Sequence, residues 1–427
     1  MATIRPFHGL RFSDSVGPLD DLVAPPYDVL SPEERDVLAA KNPHNVVHLT
    51  LPEQNADDRS KFVKYARSAA ALQEWRNSGA FSLEERPSFY RYSQEFEVPG
   101  TGRRAKRLSL IATIKVEPYE RGVVLPHEQT FPKHKEDRLR ILEATRAHLE
   151  CIYGLFEDDD KAVLGLIQGA PGIVVEDVRT EDGVHHVVER IDDPSWTLKI
   201  ASALEPKKVW IADGHHRYET ACTFREMAGE KQGPVAEDFM MMALSSIGDP
   251  GLELLPTHRI LDKVSMSSEE IREKLSERFT VRTAPNNDLI GEIAEYAVDG
   301  KRAFGVAFPG GEGLILEIPN VKEAVTGTES EESDRLKELD VTILHRTIFD
   351  RLLGLRGLDF FSYTRDPIEA IDAVKNGAKA AFLMNPPTVD DMREIALGGE
   401  KMPQKSTYYY PKILSGLVLW SLNDYSS

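Results

Sequence analysis

Two stretches, residues 88–98 (SFYRYSQEFEV) and 107–116 (RLSLIATIKV), alternate apolar and polar side chains with a period of two and predict strands. Pro99-Gly100-Thr101-Gly102 between them predicts a turn. Helical spacing appears at 61–75, where Phe62, Tyr65, Ala69, Leu72 and Trp75 share one face, and again with Leu139, Leu142 and Leu149 on one stripe. Apolar runs at 152–156, 238–246 and 380–384 predict buried strands, and 45–50 is a further strand candidate. The methionines Met240, Met241 and Met242 read as core within their run. Ser31-Pro32-Glu33-Glu34, Asp366-Pro367-Ile368-Glu369 and Thr388-Val389-Asp390-Asp391 are helix starts, and Gly377 and Gly398-Gly399 are stops. Residues 267–320 predict helix, strand, helix and a hairpin turning at Pro309-Gly310-Gly311. A solvated linker at 326–334, a helix-rich connection at 336–355, a strand at 360–363 and a closing loop with two strands at 399–420 follow. Strands and helices thus intermingle along the whole chain, which predicts an α/β (α+β) protein.

One stretch is denser in chemistry than its structure needs. Residues 209–212 form a short apolar run, Asp213-Gly214 turns the chain, and a helix opens at His215-His216-Arg217. Asp213 is placed to cap that helix, and Gly214 tolerates unusual backbone angles and a close ligand. Helix-start amides beside two imidazoles and a guanidinium make an anion site, most naturally for phosphate. Adjacent histidines on a helix point about 100° apart and rarely share one metal ion. A carboxylate beside phosphate-binding amides instead suits Mg²⁺ bridged to a nucleotide. The plainer reading is a capped surface helix.

Three further groups carry candidate chemistry. Glu128 stands in a loop bounded by Pro126 and Pro132 and is a candidate general base, with Lys133, Lys135 and Arg138 supplying positive charge. A solvated loop entering a helix is equally open. Lys405, Ser406 and Thr407 offer an amine and two hydroxyls to phosphate oxygens without a Walker sequence, or form a flexible lysine-bearing loop. His258 and Arg259 end an apolar segment, where Arg259 suits a carboxylate clamp or is a surface arginine. Arg103, Arg104, Lys106 and Arg107 read as a solvated strand start. No GxSxG or GxGxxG sequence is present.

Charge narrows the partners. Lys plus Arg is 52 against 70 for Asp plus Glu, a net −18 that repels phosphodiester backbones and excludes sequence-independent nucleic-acid binding. A local basic pocket for a small anion is compatible with it. Only Cys151 and Cys222 are present, which fits a reducing cytosol. No apolar run approaches the roughly twenty residues of a membrane helix, and the expected location is cytoplasmic.

The motifs RPFHGLRF, APPYDV, NPHNVVHLTLPE, SFYRYSQEF, HEQTFPKHKEDRL, DGHHRYETA, LPTHR and KMPQKSTYYYPK occur in order from Arg5 to the C-terminus. In them the chain resembles the family catalogued as domain of unknown function 1015. The segment 128–149, the strand at 152–156 and the turn at 213–217 are also similar to the ParB/sulfiredoxin-like superfamily, whose Gly-Glu-Arg-Arg box holds nucleotide phosphates. Here Gly214 and Arg217 match that box and the middle differs. Free-serine kinases carry a DGHHR-type box similar to Asp213–Arg217 letter for letter.

The resemblance implies a nucleotide-dependent small-molecule kinase that phosphorylates the hydroxyl of free L-serine, with Mg²⁺ and with ATP or ADP as donor. Its alternative is a ParB-like nucleotide-binding regulator without turnover. Glu128 would be the base. Asp213 would hold Mg²⁺ or orient the acceptor. Gly214, His215, His216, Arg217, Lys405, Ser406 and Thr407 would bind nucleotide phosphates, and His258 and Arg259 the substrate. The expected partners are a nucleotide and a small hydroxy amino acid, with no nucleic acid and no membrane; a homodimer is left open. The expected division is an N-terminal α/β region over 1–116, a ParB/sulfiredoxin-like core over 117–262 with 157–200 inserted, and a C-terminal region over 263–427. The cleft would lie between the Asp213 turn, the Glu128 loop and the Lys405 loop.

Overall fold

A computed structural model describes residues 1–128, 132–229, 231–318, 321, 332–357, 359–403 and 405–426, without the side chains of 132–134. The chain divides into two compact units. Unit 1 comprises Met1–Pro126, Thr130–Glu253 and Pro411–Ser427, and unit 2 comprises His127–Gln129 and Leu254–Tyr410.

Unit 1 is built on a sheet of nine strands. In chain order they are β1 (Ile4–Arg5), β2 (Phe89–Glu97), β3 (Arg104–Lys115), β4 (Val124–Leu125), β5 (Ile152–Phe156), β6 (Ile173–Arg179), β7 (His185–Ile191), β8 (Val209–Asp213) and β9 (Phe239–Ser246). Their order in space is β4-β8-β5-β9-β3-β2-β7-β6, with β1 also against β3. β8 runs parallel to β4 and β9 parallel to β5, whereas the other neighbours are antiparallel. Every residue of β5 and β9 is buried, as continuous apolar strands covered on both faces require. The helices are α1 (Pro32–Lys41), α2 (Val63–Asn77), α3 (Pro132–Thr145), α4 (Ala162–Gly169), α5 (Pro194–Leu204) and α6 (His215–Met227). Val163, Ile167, Ile200, Leu204, Tyr218 and Ala221 bring α4, α5 and α6 into one core with the sheet. A second core gathers Tyr65, Leu72 and Trp75 of α2 with Ile141 of α3, Leu149 and Leu419.

Unit 2 holds a six-stranded sheet. Its elements are β10 (His258–Leu261), α7 (Ser268–Arg278), β11 (Thr280–Pro285), α8 (Leu289–Val298), β12 (Arg302–Ala307), β13 (Glu312–Ile318), β14 (Phe361–Thr364), α9 (Pro367–Lys375), β15 (Ala380–Leu383) and α10 (Val389–Leu397). The order is β11-β13-β12-β15-β10-β14, antiparallel throughout. Leu289 and Ile293 of α8 and Ile371 and Val374 of α9 pack on Ile260, Ile315 and Leu383. Both units mix helices with sheets, and the chain is an α/β protein.

The helix starts form as their side chains dictate. Ser31 and Glu34, and likewise Thr388 and Asp391, exchange bonds with each other's backbone, while Asp366 accepts from the amide of Ile368. Other expectations change. Residues 47–50 are a helical turn rather than a strand, because Asn45 Oδ1 accepts from the amide of Val47 at 3.0 Å and fixes the turn. Leu149 lies beyond α3, which stops at Thr145 before the left-handed Arg146 (φ 48°). The division of the chain also differs from the expected one. β3 bonds to β9 across the boundary expected at 116/117, and β7, from the expected insertion, bonds to β2. The last residues return to unit 1, where the Ser415 amide donates to the Ala24 carbonyl. The linker expected at 326–334 lies outside the described residues as far as 331, as do Gln129, Thr130 and Phe131.

The basic strand start is only partly solvated. Arg107 is fully buried, stacks on the Tyr153 ring at 4.6 Å, and donates to Gln94 Oε1 and to the Pro411 carbonyl. Truncating a buried guanidinium strands its acceptors. Arg107→Ala is therefore expected to destabilise the fold by about 3 kcal/mol, read as a lowered urea midpoint. An unchanged midpoint would contradict this placement.

Candidate functional site

The densest chemistry sits where β8 becomes α6. The first four residues of β8 are buried and Asp213 only partly. The ladder to β5 slips between Ile211 and Asp213, and Gly214 then turns the chain with φ 91°. A Cβ at Gly214 would come 2.6 Å from Ile152 Cγ2, so the close packing of turn on strand requires glycine. Gly214 is itself the cap residue, with no side-chain capping bond, so Asp213 does not cap α6 as expected. Its Oδ2 instead lies 3.1 Å from Lys412 Nζ.

Lys412 is delivered to that position by its backbone. Gln94 Nε2 donates to the Lys412 carbonyl at 2.9 Å, and Arg107 holds the preceding carbonyl. Burial alone would raise the Asp213 carboxyl. Lys412, then Arg217 and His215, outweigh it and hold the group down to about 2.

Arg217 donates from Nη1 to the Cys151 carbonyl at 2.8 Å and stands 5.7 Å from the Tyr27 ring. Burial opposes its charge, but Glu150, Asp28 and Asp213 more than compensate and raise its pKa. Glu150 Oε1 accepts from the Tyr27 amide and from Ser415 Oγ, both at 3.0 Å. Arg138 lies over the Tyr27 ring at 3.9 Å and bonds to the carboxylate of Asp137. The Pro25-Pro26-Tyr27 strap and the 412–415 segment are thereby fastened around the base of α6. His215 is buried and His216 partly open, as their 100° separation on the helix demands. Burial pushes the Cys151 thiol up to about 12, which keeps it protonated.

The remaining candidates gather in unit 2. Glu128 pairs in a bridge with Met402, and its Oε1 accepts from the Ser406 amide at 3.3 Å. His127 Nε2 shares a hydrogen bond with Thr407 Oγ1 at 2.8 Å, and Ser406 Oγ donates to the Pro403 carbonyl. Both hydroxyls expected to face phosphate thus have partners inside the protein. Lys405 adopts φ 60°, a left-handed conformation rare outside glycine. Arg259 is not a surface residue, since it is 1% exposed. It donates to the carbonyls of Thr257 and Lys405, to Met384 Sδ at 3.0 Å and to His345 Nε2 at 3.2 Å. His258 is fully buried, with Nδ1 3.4 Å from the Met384 amide.

Glu128, His258, Arg259 and Lys405–Thr407 are therefore one cluster, whereas Asp213–Arg217 belong to unit 1. Of the expected loop cations, Lys135 pairs with Glu219 and Arg138 is buried against Asp137; the Lys133 side chain lies outside the described residues. Residue-level reasoning missed Lys412, Glu150, Tyr27, Gln94 and the burial of Arg107. Only the prolines beside Tyr27 and Lys412 hinted at fixed straps.

Among the described residues no group of three or more His, Cys, Asp or Glu gathers as a metal site. An ionised Asp213 fits Mg²⁺ only in its usual manner, with one or two carboxylates completed by phosphates and water. No helix among the described residues is long and apolar enough to cross a membrane.

Residues 4–342 match the family described as "Protein of unknown function (DUF1015)". No curated protein matches the chain. Among solved structures, a free serine kinase mutant in complex with ADP is similar at 14% identity and TM-score 0.36, over 70% of this chain and 87% of that one. A free serine kinase in complex with AMP is similar at 16% identity and TM-score 0.35, over 70% and 86%. A conserved hypothetical protein from Pyrococcus furiosus is similar at 14% identity and TM-score 0.36, over 74% and 97%.

Two outcomes follow from the turn. Gly214→Ala is expected to lower stability by about 2 kcal/mol, from the left-handed backbone and the overlap with Ile152; thermal unfolding reads it, and an unshifted transition would refute it. Folding favours the ionised form of Asp213. Its contribution is full above the ordinary aspartate range and is lost as pH falls from about 4 toward 2. Unfolding curves of the wild type across that window should lose up to about 2 kcal/mol that Asp213→Asn does not lose. Parallel pH dependences in the two proteins would sink the assignment.

Proposed function

The chain belongs to the family described as Protein of unknown function (DUF1015), and from that premise we propose that it is a nucleotide-dependent small-molecule kinase whose acceptor is the hydroxyl of free L-serine. One observation carries the reading: Asp213 pairs with Lys412 at 3.1 Å beside the glycine-turned start of α6, whose first turn holds Arg217. Phosphoryl transfer asks mostly for positioning and charge neutralisation. A helix start flanked by a lysine, an arginine and two histidines supplies both to a polyphosphate. The similarity of Asp213–Arg217 to the box of free-serine kinases supports the same class.

The roles divide by chemistry. The start of α6, with His215, His216 and Arg217, binds phosphate oxygens, and Lys412 adds a fixed cation beside them. Asp213 orients the acceptor or holds Mg²⁺ together with the nucleotide. Bound Mg²⁺ would neutralise charge on the phosphates. Glu128 accepts the proton of the serine hydroxyl as the serine oxygen bonds to phosphorus. The bond from that phosphorus to the nucleotide's bridging oxygen breaks, leaving O-phosphoserine and the shortened nucleotide. Since Ser406 and Thr407 turn their hydroxyls inward, the Lys405 loop contributes through its backbone and its lysines. The net charge of −18 speaks against a DNA-clamp function of the ParB kind.

The test is incubation with L-serine, Mg²⁺ and either ATP or ADP, with phosphoserine read by mass spectrometry. Glu128→Gln is expected to slow turnover by about 100-fold or more while leaving a nucleotide-dependent thermal shift in place. Asp213→Asn is expected to lose both. A nucleotide-dependent shift without any acceptor-dependent turnover would replace the kinase with a nucleotide-binding regulator. No nucleotide consumed with any small hydroxy compound, together with an inert Glu128→Gln, would end the proposal.

A further inference from the structure

Arg259 is a buried cation whose four hydrogen-bond partners are all neutral: two carbonyls, a thioether and an imidazole. A guanidinium taken out of water needs an anion nearby or a reason to be there. The carboxylate that acts on it electrostatically is Glu128, which is not one of its hydrogen-bond partners among the described residues.

The connection runs through one peptide group. Arg259 Nη2 donates to the Lys405 carbonyl oxygen at 3.0 Å. The amide on the other side of that same peptide bond belongs to Ser406 and donates to Glu128 Oε1 at 3.3 Å. A cation bonded to a peptide oxygen draws electrons from the peptide and makes its N–H a stronger donor, so bonds in such a chain reinforce one another. The left-handed backbone at Lys405 sets the orientation of this peptide, and strain of that kind persists only where the surroundings enforce it. Here Arg259 holds the oxygen of the peptide, and the Met402 bridge fixes the strand-like approach of Glu128.

We propose that Arg259 is a positioning residue for Glu128: through the Lys405–Ser406 peptide it fixes the carboxylate and strengthens the hydrogen bond that the carboxylate accepts. This rests on the assignment of Glu128 as the general base. It replaces the expected role of Arg259 as a clamp on the substrate. The titratable groups around the junction are His127 beside Glu128, Lys401 and Lys405 in the loop, and His258, His345 and Tyr363 about Arg259. Burial, then Arg259, takes His258 down to about 4 and His345 to about 3, so both are neutral at neutral pH. Burial brings Arg259 itself down to about 10, against the pull of Tyr363 and Glu128, and leaves it charged there. The guanidinium therefore supplies the positive field where the two histidines do not.

The experiment titrates the Glu128 carboxyl directly, using protein labelled with carbon-13 at the glutamate carboxyls and Glu128→Gln to assign the signal. In Arg259→Gln the midpoint is expected to rise by about one pH unit. In Arg259→Lys, which keeps a buried charge but loses the planar fork, it is expected to rise less. Arg259→Lys also serves where Arg259→Gln does not fold. If serine phosphorylation is observed, the acid limb of its pH profile moves up with the midpoint. An effect that merely loosened the fold would not shift that limb. A midpoint unmoved by either substitution overturns the proposal, as does a wild-type midpoint at or above the ordinary glutamate range, which needs no variant. A shifted midpoint in a protein that phosphorylates nothing keeps the Arg259–Glu128 link and removes only the kinase reading.

Discussion

A carboxylate brought to the buried end of a strand must find a cation, and in unit 1 the arrangement around Asp213 follows from that requirement. Lys412 answers it at 3.1 Å. Lys412 is far away in sequence, so the chain must return to place it. The return is secured where it passes the sheet, by Gln94 and Arg107 on the carbonyls of residues 412 and 411. Both of these side chains are fully buried. The pair is thus the visible end of a longer structure in which two strands of the sheet hold a terminal segment at the mouth of β8. The same segment continues to Ser415, which bonds to Glu150 and to the backbone of Ala24. The first and last parts of the chain are therefore fixed to the same helix start.

Unit 2 applies a different rule to its polar cluster. Its central cation, Arg259, has no ion-pair partner among the described residues and binds neutral acceptors. Where unit 1 brings opposite charges together, unit 2 keeps a guanidinium and Glu128 on opposite sides of one peptide group. In a low-dielectric interior that separation still transmits a field, since screening there is weaker than in water.

Most of the fold was legible because burial on both faces, or capping at one end, leaves a direct mark on sequence. The apolar run that became β9 and the Ser31, Asp366 and Thr388 helix starts are of this kind. The helical turn at 47–50 was not, since a short apolar run carries no period and the deciding bond comes from the side chain of Asn45. Asp213, Gly214 and Arg217 announced a site because a strand, a glycine and a charged helix start are consecutive. Lys412 and Glu150 announced nothing, because their roles arise only when distant segments meet. Arg107 misled: a basic residue at a strand start normally faces water, and only the neighbouring Gln94 and the returning carbonyl explain why it does not. The cap assigned to Asp213 failed for a related reason, since Gly214 took the cap position and freed the carboxylate for an ion pair.

These buried and half-buried charges call for an explanation beyond stability. Well-packed apolar side chains in place of a buried ion pair are often as stable or more so. Asp213–Lys412, Arg217 and Arg259 are therefore poor candidates for residues kept to hold the fold. What charge offers here is direction. A lysine fixed by its own backbone, a carboxylate held ionised and a guanidinium bonded to a chosen peptide oxygen each present a defined field at a defined place. Phosphoryl transfer depends on that property more than on any covalent participation by the protein. The net −18 of the chain sharpens the point. On the kinase reading proposed above, against a surface that repels anions at long range, cations would meet a polyphosphate best when they are few, partly desolvated and immobile, because screening and side-chain entropy then take least from them.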